Sequence, residues 1–253
     1  MGEDDALKII DKIRKSNHIS DLSCVVATTS GVGGKSQMIT RERINTGQIK
    51  ILKGESIIKY EVIGYLFFEF KKTNITGRTT DRIKLGYAPK LLIRKTGVSI
   101  IAAHDESGIF PEQSLYFTYG LSHEDLFYLL GLLNSRLMNF IYFHSAITNN
   151  ASIAQVKKVD LDALPIERTG VTPEKDKIIT LIADKARAIT NEMKNIKNQN
   201  LEQGRALHRR QLLAAEKTID HMVYDLYGLS DAERDCVNKW SDTVSRSSHG
   251  NAS

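Results

Sequence analysis

Short runs of apolar residues, separated by turn residues about every ten positions, fill the first part of the chain. Several of these runs are rich in Val, Ile, Tyr and Phe and are bounded by Gly, Asn or Ser, a pattern that predicts β-strands. The predicted strands cover residues 22–27, 48–52, 61–70, 90–94, 98–103 and 114–118, with a further strand expected towards residue 166. Residues 71–84 are polar and basic and predict an exposed loop.

The hydrophobic period changes at Ser122. Ser122 and Asp125 resemble a capping box. The apolar residues that follow recur every three or four positions, at Leu126, Leu129, Leu130, Leu133, Leu137 and Ile141. This pattern predicts one buried helix, with Asn134, Ser135 and Arg136 on its solvated face. A short amphipathic helix is also predicted over residues 6–15, and a polar loop over residues 145–152.

Residues 171–240 carry two apolar series of helical period, separated by the polar residues 197–204. Thr172-Pro173-Glu174 is typical of a helix start, and the two series predict an antiparallel helical hairpin, with one continuous helix as the alternative. Ser230 and Glu233 predict a cap for a short last helix, and residues 241–253 are expected to be disordered. The predicted fold is therefore α+β: a mixed or antiparallel sheet domain with a buried helix at residues 1–170, followed by a C-terminal helical hairpin.

The formal net charge of +5 is unevenly distributed. Residues 41–96 contain thirteen Lys and Arg against five Asp and Glu, a net charge of +8, so the rest of the chain sums to −3. A basic segment of this kind predicts a surface for a polyanion, because neutralising phosphates releases counterions. A solvated lysine-rich face is the alternative.

A glycine-rich run, Gly31-Val32-Gly33-Gly34-Lys35-Ser36, follows the first predicted strand. It is close to a phosphate-binding loop, in which backbone amides surround the phosphates and the lysine reaches the outer ones. Thr29 occupies the position of the first glycine of that motif, and Asn45-Thr46-Gly47 predicts a turn soon after the place where a helix is required. A P-loop nucleotide hydrolase stays open as an alternative function.

Catalytic and metal-binding patterns are missing from the sequence. The four prolines are never adjacent, which excludes the Pro-Pro-aromatic tetrad with which adenine methyltransferases hold a flipped base. Glu69-Phe70-Lys71 lacks the preceding Asp of a restriction nuclease, and neither the histidines nor the two cysteines have the spacing of metal ligands. No apolar run is long enough to span a bilayer, and a cytoplasmic protein is expected.

The order of several motifs resembles one family. Pro89-Lys90-Leu91-Leu92-Ile93-Arg94-Lys95 and a strand are followed by an apolar helix with Leu133-Asn134-Ser135, and then by Leu164-Pro165-Ile166. The segment ILKGESIIKY at residues 51–60 precedes them, and IDHMVYDLYGLS at residues 219–230 follows. In this order the segments resemble the TaqI-like C-terminal specificity domain of adenine-specific DNA methyltransferases and type IIG restriction-modification enzymes.

The resemblance implies a target recognition domain that binds duplex DNA for a methyltransferase and performs no chemistry itself. It implies no cofactor in this chain, with S-adenosylmethionine bound by the partner methyltransferase domain or subunit. The helical hairpin is expected to dock against that partner, and a helical-hairpin assembly protein with an incidental basic face is the third hypothesis.

The expected DNA contacts combine the basic segment with the resemblance. Arg78 and Arg82, in the polar loop, are expected to include a reader of base edges, whereas Lys90, Arg94 and Lys95 are expected to bind phosphates. The full set of residues expected to contact DNA is Lys35, Lys53, Lys59, Tyr60, Arg78, Arg82, Lys90, Arg94 and Lys95.

Overall fold

A computed structural model of the chain describes residues 3–97, 99–146, 155–196 and 202–250. The helices in these ranges are α1 (Glu3–Arg14), α2 (Leu22–Val25), α3 (Arg82–Leu85), α4 (His123–Asn134), α5 (Arg136–Ala146), α6 (Lys158–Asp162), α7 (Pro173–Ile196), α8 (Glu202–Leu226) and α9 (Asp231–Gly250). The strands are β1 (Ile19–Asp21), β2 (Thr28–Ser30), β3 (Gly33–Gly34), β4 (Ile39–Thr40), β5 (Gln48–Leu52), β6 (Ile57–Ile58), β7 (Glu61–Val62), β8 (Leu66–Glu69), β9 (Ile75–Gly77), β10 (Lys90–Arg94), β11 (Ala102–Asp105), β12 (Phe110–Pro111), β13 (Leu115–Thr118) and β14 (Pro165–Glu167). Single 3₁₀ turns cover Ser36–Met38, Gly54–Ser56 and Lys72–Asn74.

Two four-stranded sheets form the β part of the fold. One has the order β11-β10-β13-β2 and is antiparallel throughout. The other has the order β12-β5-β8-β4, in which β12 and β5 run parallel and the remaining pairs antiparallel. The β part also contains three two-stranded sheets, β1-β14, β3-β9 and β6-β7. The predicted α+β class with mixed or antiparallel sheets is confirmed.

The largest core lies among the helices. Buried side chains of α1, α4, α5, α7, α8 and α9 form one continuous apolar cluster with part of the β11-β10-β13-β2 sheet. Helix α7 packs on α4 where Gly131 leaves room, because a Cβ there would lie 2.9 Å from Ile182 Cγ2 and 3.3 Å from Ala186 Cβ. The apolar face of α7 is thus covered by α4 within the chain, although the sequence pattern left it without a partner. The domain boundary near residue 170 stays a prediction.

The predicted single helix after Ser122 is wrong, because the chain bends at Ser135 between α4 and α5. Ser135 has an extended backbone (φ −69°, ψ 156°), and its hydroxyl accepts a hydrogen bond from the Met138 amide (3.3 Å) at the start of α5. The two helices meet at 63°. Among the described residues no single helix is long and apolar enough to cross a membrane, and this bent pair passes that test only by length and composition.

Asn134, Ser135 and Arg136 do not lie on a solvated face, so that prediction is also wrong. Asn134 is buried and forms two hydrogen bonds with the backbone of Ala102 in β11: its Oδ1 accepts from the amide (3.0 Å) and its Nδ2 donates to the carbonyl (2.9 Å). Asn139, one turn into α5, accepts from the Ile100 amide (2.6 Å). The two asparagines therefore attach the helix bend to an edge strand.

Arg136 joins the bend to the last two helices. Its backbone amide donates to Asp220 of α8 (2.8 Å), and its guanidinium lies 3.3 Å from the same carboxylate and 3.2 Å from Asp242 of α9. Burial raises the pKa of Asp220 to about 6, against the opposing effect of its hydrogen bond with the Arg136 amide. The interaction explains why α5, α8 and α9 form one packed unit.

Several smaller predictions are wrong or shifted. Residues 22–25 form the single turn α2 instead of a strand, since only Leu22 of that turn is buried. The strand predicted over residues 61–70 is interrupted between β7 and β8, and the predicted loop at residues 71–84 contains β9 and α3. Helix α9 continues to Gly250, so the predicted disorder is wrong for residues 241–250. Most of the predicted loop at residues 145–152 lies outside the described residues.

Candidate nucleic-acid interface

Cations without an acidic partner are concentrated in one part of the chain. Of the thirteen Lys and Arg between residues 41 and 96, only Lys59, Lys71 and Lys90 have a carboxylate within 4.0 Å among the described residues. The other ten are Arg41, Arg43, Lys50, Lys53, Lys72, Arg78, Arg82, Lys84, Arg94 and Lys95. Positive charge that is not neutralised within the fold is available for an anionic ligand.

Three of these cations line one open groove. Arg43, Lys50 and Arg82 surround a space of about 450 Å³ beside β5, β8 and the loop of residues 107–110. The Arg82 guanidinium lies over the rings of Phe70 (4.7 Å) and Phe110 (5.5 Å), which fixes its position.

Arg43 is held at this groove by its own loop. Its guanidinium donates to the carbonyls of Asn45 (3.2 Å), Thr46 (2.9 Å) and Gln48 (3.1 Å). The groove therefore has two arginines whose positions are set before any ligand binds.

A second basic group lies at the neighbouring sheet. Lys95 donates a hydrogen bond to the Ser30 hydroxyl and has its ammonium 4.2 Å from the centre of the Tyr116 ring. Burial and, next, the positive charge of Arg78 lower the pKa of Lys95 to about 8. Arg78 itself is exposed and has a left-handed backbone (φ +66°) directly after Gly77.

A short stretch of chain links the two basic groups. Arg82 is four positions after Arg78, and an extended chain covers at most roughly 3.6 Å per residue, so their Cα atoms lie within about 14 Å. We call this the basic surface, and define it by Arg43, Lys50, Arg78, Arg82 and Lys95. It carries exposed aromatic surface as well, since Tyr65 is 46% exposed and the centre of its ring lies 4.0 Å from the Lys50 ammonium.

Two of the residues predicted to contact DNA are buried, and for them the prediction is wrong. Lys90 is 0% exposed and forms an ion pair with Asp105 at 2.9 Å. Burial lowers the pKa of Lys90, and the Asp105 carboxylate opposes that shift. Tyr60 is buried against β11, where its backbone amide donates to Ala102 (2.8 Å). Neither side chain can reach a phosphate.

Two further predicted residues are occupied within the fold. Lys59 donates to the Asn134 carbonyl (3.1 Å) and lies 3.8 Å from Glu216 of α8, so it joins the β part to the helices. The half-buried Arg94 donates to the Ile57 carbonyl. Lys35 is exposed and Lys53 half-buried, and for both DNA contact stays a prediction.

The sequence pattern missed Arg43, Lys50, Tyr65 and Phe67. Lys50 of β5 is directly opposite Phe67 of β8, and opposite residues of an antiparallel pair share one face. The signal that could have shown this is the alternation in β8, where Leu66 and Phe68 are buried and Phe67 is only half-buried. The apolar character of the whole run 61–70 concealed that alternation.

The P-loop hypothesis is wrong, because the glycine-rich run is used inside the fold. The amides of Gly31 and Val32 donate to the carbonyls of Leu115 (3.0 Å) and Pro111 (2.9 Å) instead of facing a ligand. Gly33 and Gly34 form β3, and a 3₁₀ turn and β4 follow in place of the required helix.

The described histidines form no metal site. No group of three His, Cys, Asp or Glu side chains that could hold a metal ion exists among the described residues. His104 is buried beside Phe127, with ring centroids 4.7 Å apart, and burial lowers its pKa to about 4. It is therefore neutral at physiological pH.

Comparison with known proteins gives one family. Residues 49–166 match the TaqI-like C-terminal specificity domain family. This region begins in β5 and ends in β14, so it contains Lys50, Arg78, Arg82 and Lys95 but not Arg43. No curated protein matches the chain.

Two solved structures are similar to the chain in fold. The type IIL restriction-modification enzyme MmeI, in complex with DNA, gives a TM-score of 0.54 at 12% identity, over 82% of this chain and 34% of that enzyme. The type IIG restriction endonuclease BpuSI gives a TM-score of 0.50 at 11% identity, over 88% of this chain and 33% of that enzyme. The chain thus spans about a third of the length of each enzyme.

Proposed function

We propose that the chain, whose residues 49–166 match the TaqI-like C-terminal specificity domain family, recognises a short sequence of duplex DNA. It would do so as the specificity domain or subunit of an adenine-specific DNA methyltransferase in a restriction-modification system, in the cytoplasm. S-adenosylmethionine and the methyl transfer belong in this proposal to the partner, and the present chain contributes binding only.

The observation that carries the proposal is the set of unpaired cations at the basic surface. Each Lys or Arg that neutralises a phosphate releases a counterion, which supplies affinity that does not depend on sequence. Lys50, Arg82 and Lys95 are proposed to bind phosphates, because packing against rings or a sheet fixes their positions. Arg78 is proposed to read a base edge, since it is exposed, projects from a tight turn and has a bidentate fork.

The C-terminal helices are proposed to contact the catalytic partner. The buried faces of α7 and α8 belong to the internal core, so the contact must use their outer faces, where Leu181 and Leu213 are exposed. Substitutions of the buried Ile189 would disturb the core and could not isolate this role.

Selection from random duplex DNA tests the proposal directly. The full chain is expected to enrich one short sequence and to bind it more tightly than a scrambled duplex, without hydrolysing ATP or transferring methyl groups. Enrichment of no sequence, with equal affinity for every duplex, would contradict specific recognition. ATP hydrolysis that Lys35→Ala abolishes would instead restore the nucleotide hypothesis.

The titration of Lys95 gives a second prediction. A phosphate contact favours the charged ammonium, so affinity should fall as the pH rises through the lowered pKa of about 8. Between pH 7 and 9 we expect a loss of up to roughly tenfold, as the charged fraction falls. Lys95→Arg is the matched control, because a guanidinium stays charged throughout and should remove this loss. Equal pH dependence of the two proteins at constant ionic strength would exclude Lys95 from the contact.

A further inference from the structure

Two isoleucines adjacent in sequence to residues of the basic surface are strongly exposed. Ile44 is 68% and Ile83 84% exposed. Each directly follows an arginine that lines the groove, Arg43 in one case and Arg82 in the other. A single exposed apolar residue needs no explanation. Two exposed isoleucines that each follow an arginine of the same groove form a repeated arrangement.

The turn of α3 holds Ile83 out from the protein. The Asp81 carboxylate accepts hydrogen bonds from the amides of Ile83 (2.9 Å) and Lys84 (3.2 Å), and Leu85 at the end of the turn is fully buried. Arg82 is stacked on Phe70, so its guanidinium is directed to that ring and not over Ile83. The apolar side chain is therefore fixed in an exposed position.

Ile44 is fixed in a similar way. Its amide donates to Gln48 Oε1 (2.8 Å), while the preceding Arg43 is bonded to three carbonyls of the same loop. The Gly47 amide closes the turn by donating to Asn45 Oδ1 (2.9 Å). Because β-branched side chains have few rotamers, ordering these isoleucines in a complex costs little entropy.

We propose that Ile83, with Ile44 beside the same groove, makes apolar contact with the bases of the bound duplex. The proposal rests on the proposed function and adds a class of contact to it. Charge complementarity selects the occupant, because each isoleucine directly follows an arginine of the basic surface and DNA is a polyanion with apolar groups within its grooves. Two kinds of contact share this chemistry: the C5 methyl group of thymine in the major groove, and a wedge at an unstacked base step.

Affinity measurements with Ile83→Ala and Ile44→Ala test the contact. Loss of buried methyl and methylene groups should weaken binding of the selected duplex about tenfold for Ile83→Ala, and less for Ile44→Ala. The slope of log affinity against log salt should not change, because no phosphate contact is lost. Leu7→Ala on α1, where the side chain is 47% exposed, is the matched control and should bind as the wild type does. All three variants should keep the wild-type thermal midpoint.

Two modified duplexes distinguish the kinds of contact. Replacing thymine by deoxyuridine removes the methyl group and should reproduce the loss seen with Ile83→Ala if the methyl is the target. Placing 2-aminopurine at each position should give a rise in fluorescence, absent with Ile83→Ala, if the side chain unstacks a step. Absence of both signals, or wild-type affinity of Ile83→Ala for a sequence that the wild type selects, overturns the inference and leaves the proposed function intact. Failure of the wild type to bind duplex DNA overturns both.

Discussion

Replacing Asn134 with leucine is expected to lower the free energy of unfolding by about 3 kcal/mol, because it leaves the buried Ala102 amide of an edge strand without its acceptor. The side chain accepts from the Ala102 amide and donates to its carbonyl. The carbonyl keeps a second donor, the Tyr60 amide at 2.8 Å, but the amide loses the acceptor that Asn134 supplies. Leucine has a similar volume, so the change reports the lost hydrogen bonds more than a cavity.

Chemical denaturation measures this effect. Asn191→Leu is the control, since Asn191 lies exposed on α7 and the same change there should stay within about 0.5 kcal/mol of the wild type. A loss of less than 1 kcal/mol for Asn134→Leu, at unchanged denaturant dependence, would mean that the asparagine does not hold the bend of α4 and α5 to β11.

Gly31→Ala is expected to be at least as disruptive, with a loss of about 3 kcal/mol or more from overpacking. A Cβ at this position would lie 2.3 Å from the Pro111 carbonyl oxygen and 2.4 Å from that of Glu112. Both atoms belong to the backbone, so no side-chain rotation can relieve the contact. The glycine is needed where two segments of backbone cross, which is a structural requirement and not a phosphate site.

Gly64→Ala is the matched control for this variant. A Cβ at Gly64 meets nothing within 4 Å, and thermal unfolding should therefore occur near the wild-type midpoint. Addition of ATP with magnesium should not shift the thermal midpoint of the wild type, of Gly31→Ala or of Gly64→Ala, since a ligand stabilises only a protein that binds it. Suppose that Gly31→Ala has the wild-type thermal midpoint and that ATP raises the midpoint of the wild type. The glycine-rich run would then be a nucleotide site and not a structural crossing of the backbone.

Long periodic segments could be predicted from the sequence, because their pattern is set by local geometry. The starts of α4 and α7 followed from Ser122 and Thr172, whose hydroxyls accept from the amides three residues on. The bend at Ser135 could not be predicted, since the apolar period continues through it. Its cause is a strand 32 residues away in sequence, which Asn134 contacts.

The basic character of the candidate site could be predicted, but not which cations form it. Lys90 was misassigned because its partner, Asp105, lies directly opposite it in the register of β10 and β11, and only pairing brings the two together. The exposure of Arg78 and Arg82 could be predicted because a polar loop signals exposure locally, and their contact with DNA stays a prediction. Lys50 was not among the predicted DNA contacts, because its exposure depends on which face of the sheet formed by β5 and β8 packs on the core.

Salt titration of Arg78→Ala and Arg82→Ala, on the selected and a scrambled duplex, tests most directly whether the basic surface recognises DNA. Arg82→Ala should weaken binding to both duplexes and reduce the slope of log affinity against log salt by about one. Arg78→Ala should cost roughly 1 to 3 kcal/mol on the selected duplex and little on the scrambled one. Wild-type affinity and slope for both variants on both duplexes would contradict the account, because two exposed cations of the basic surface would then play no part in binding.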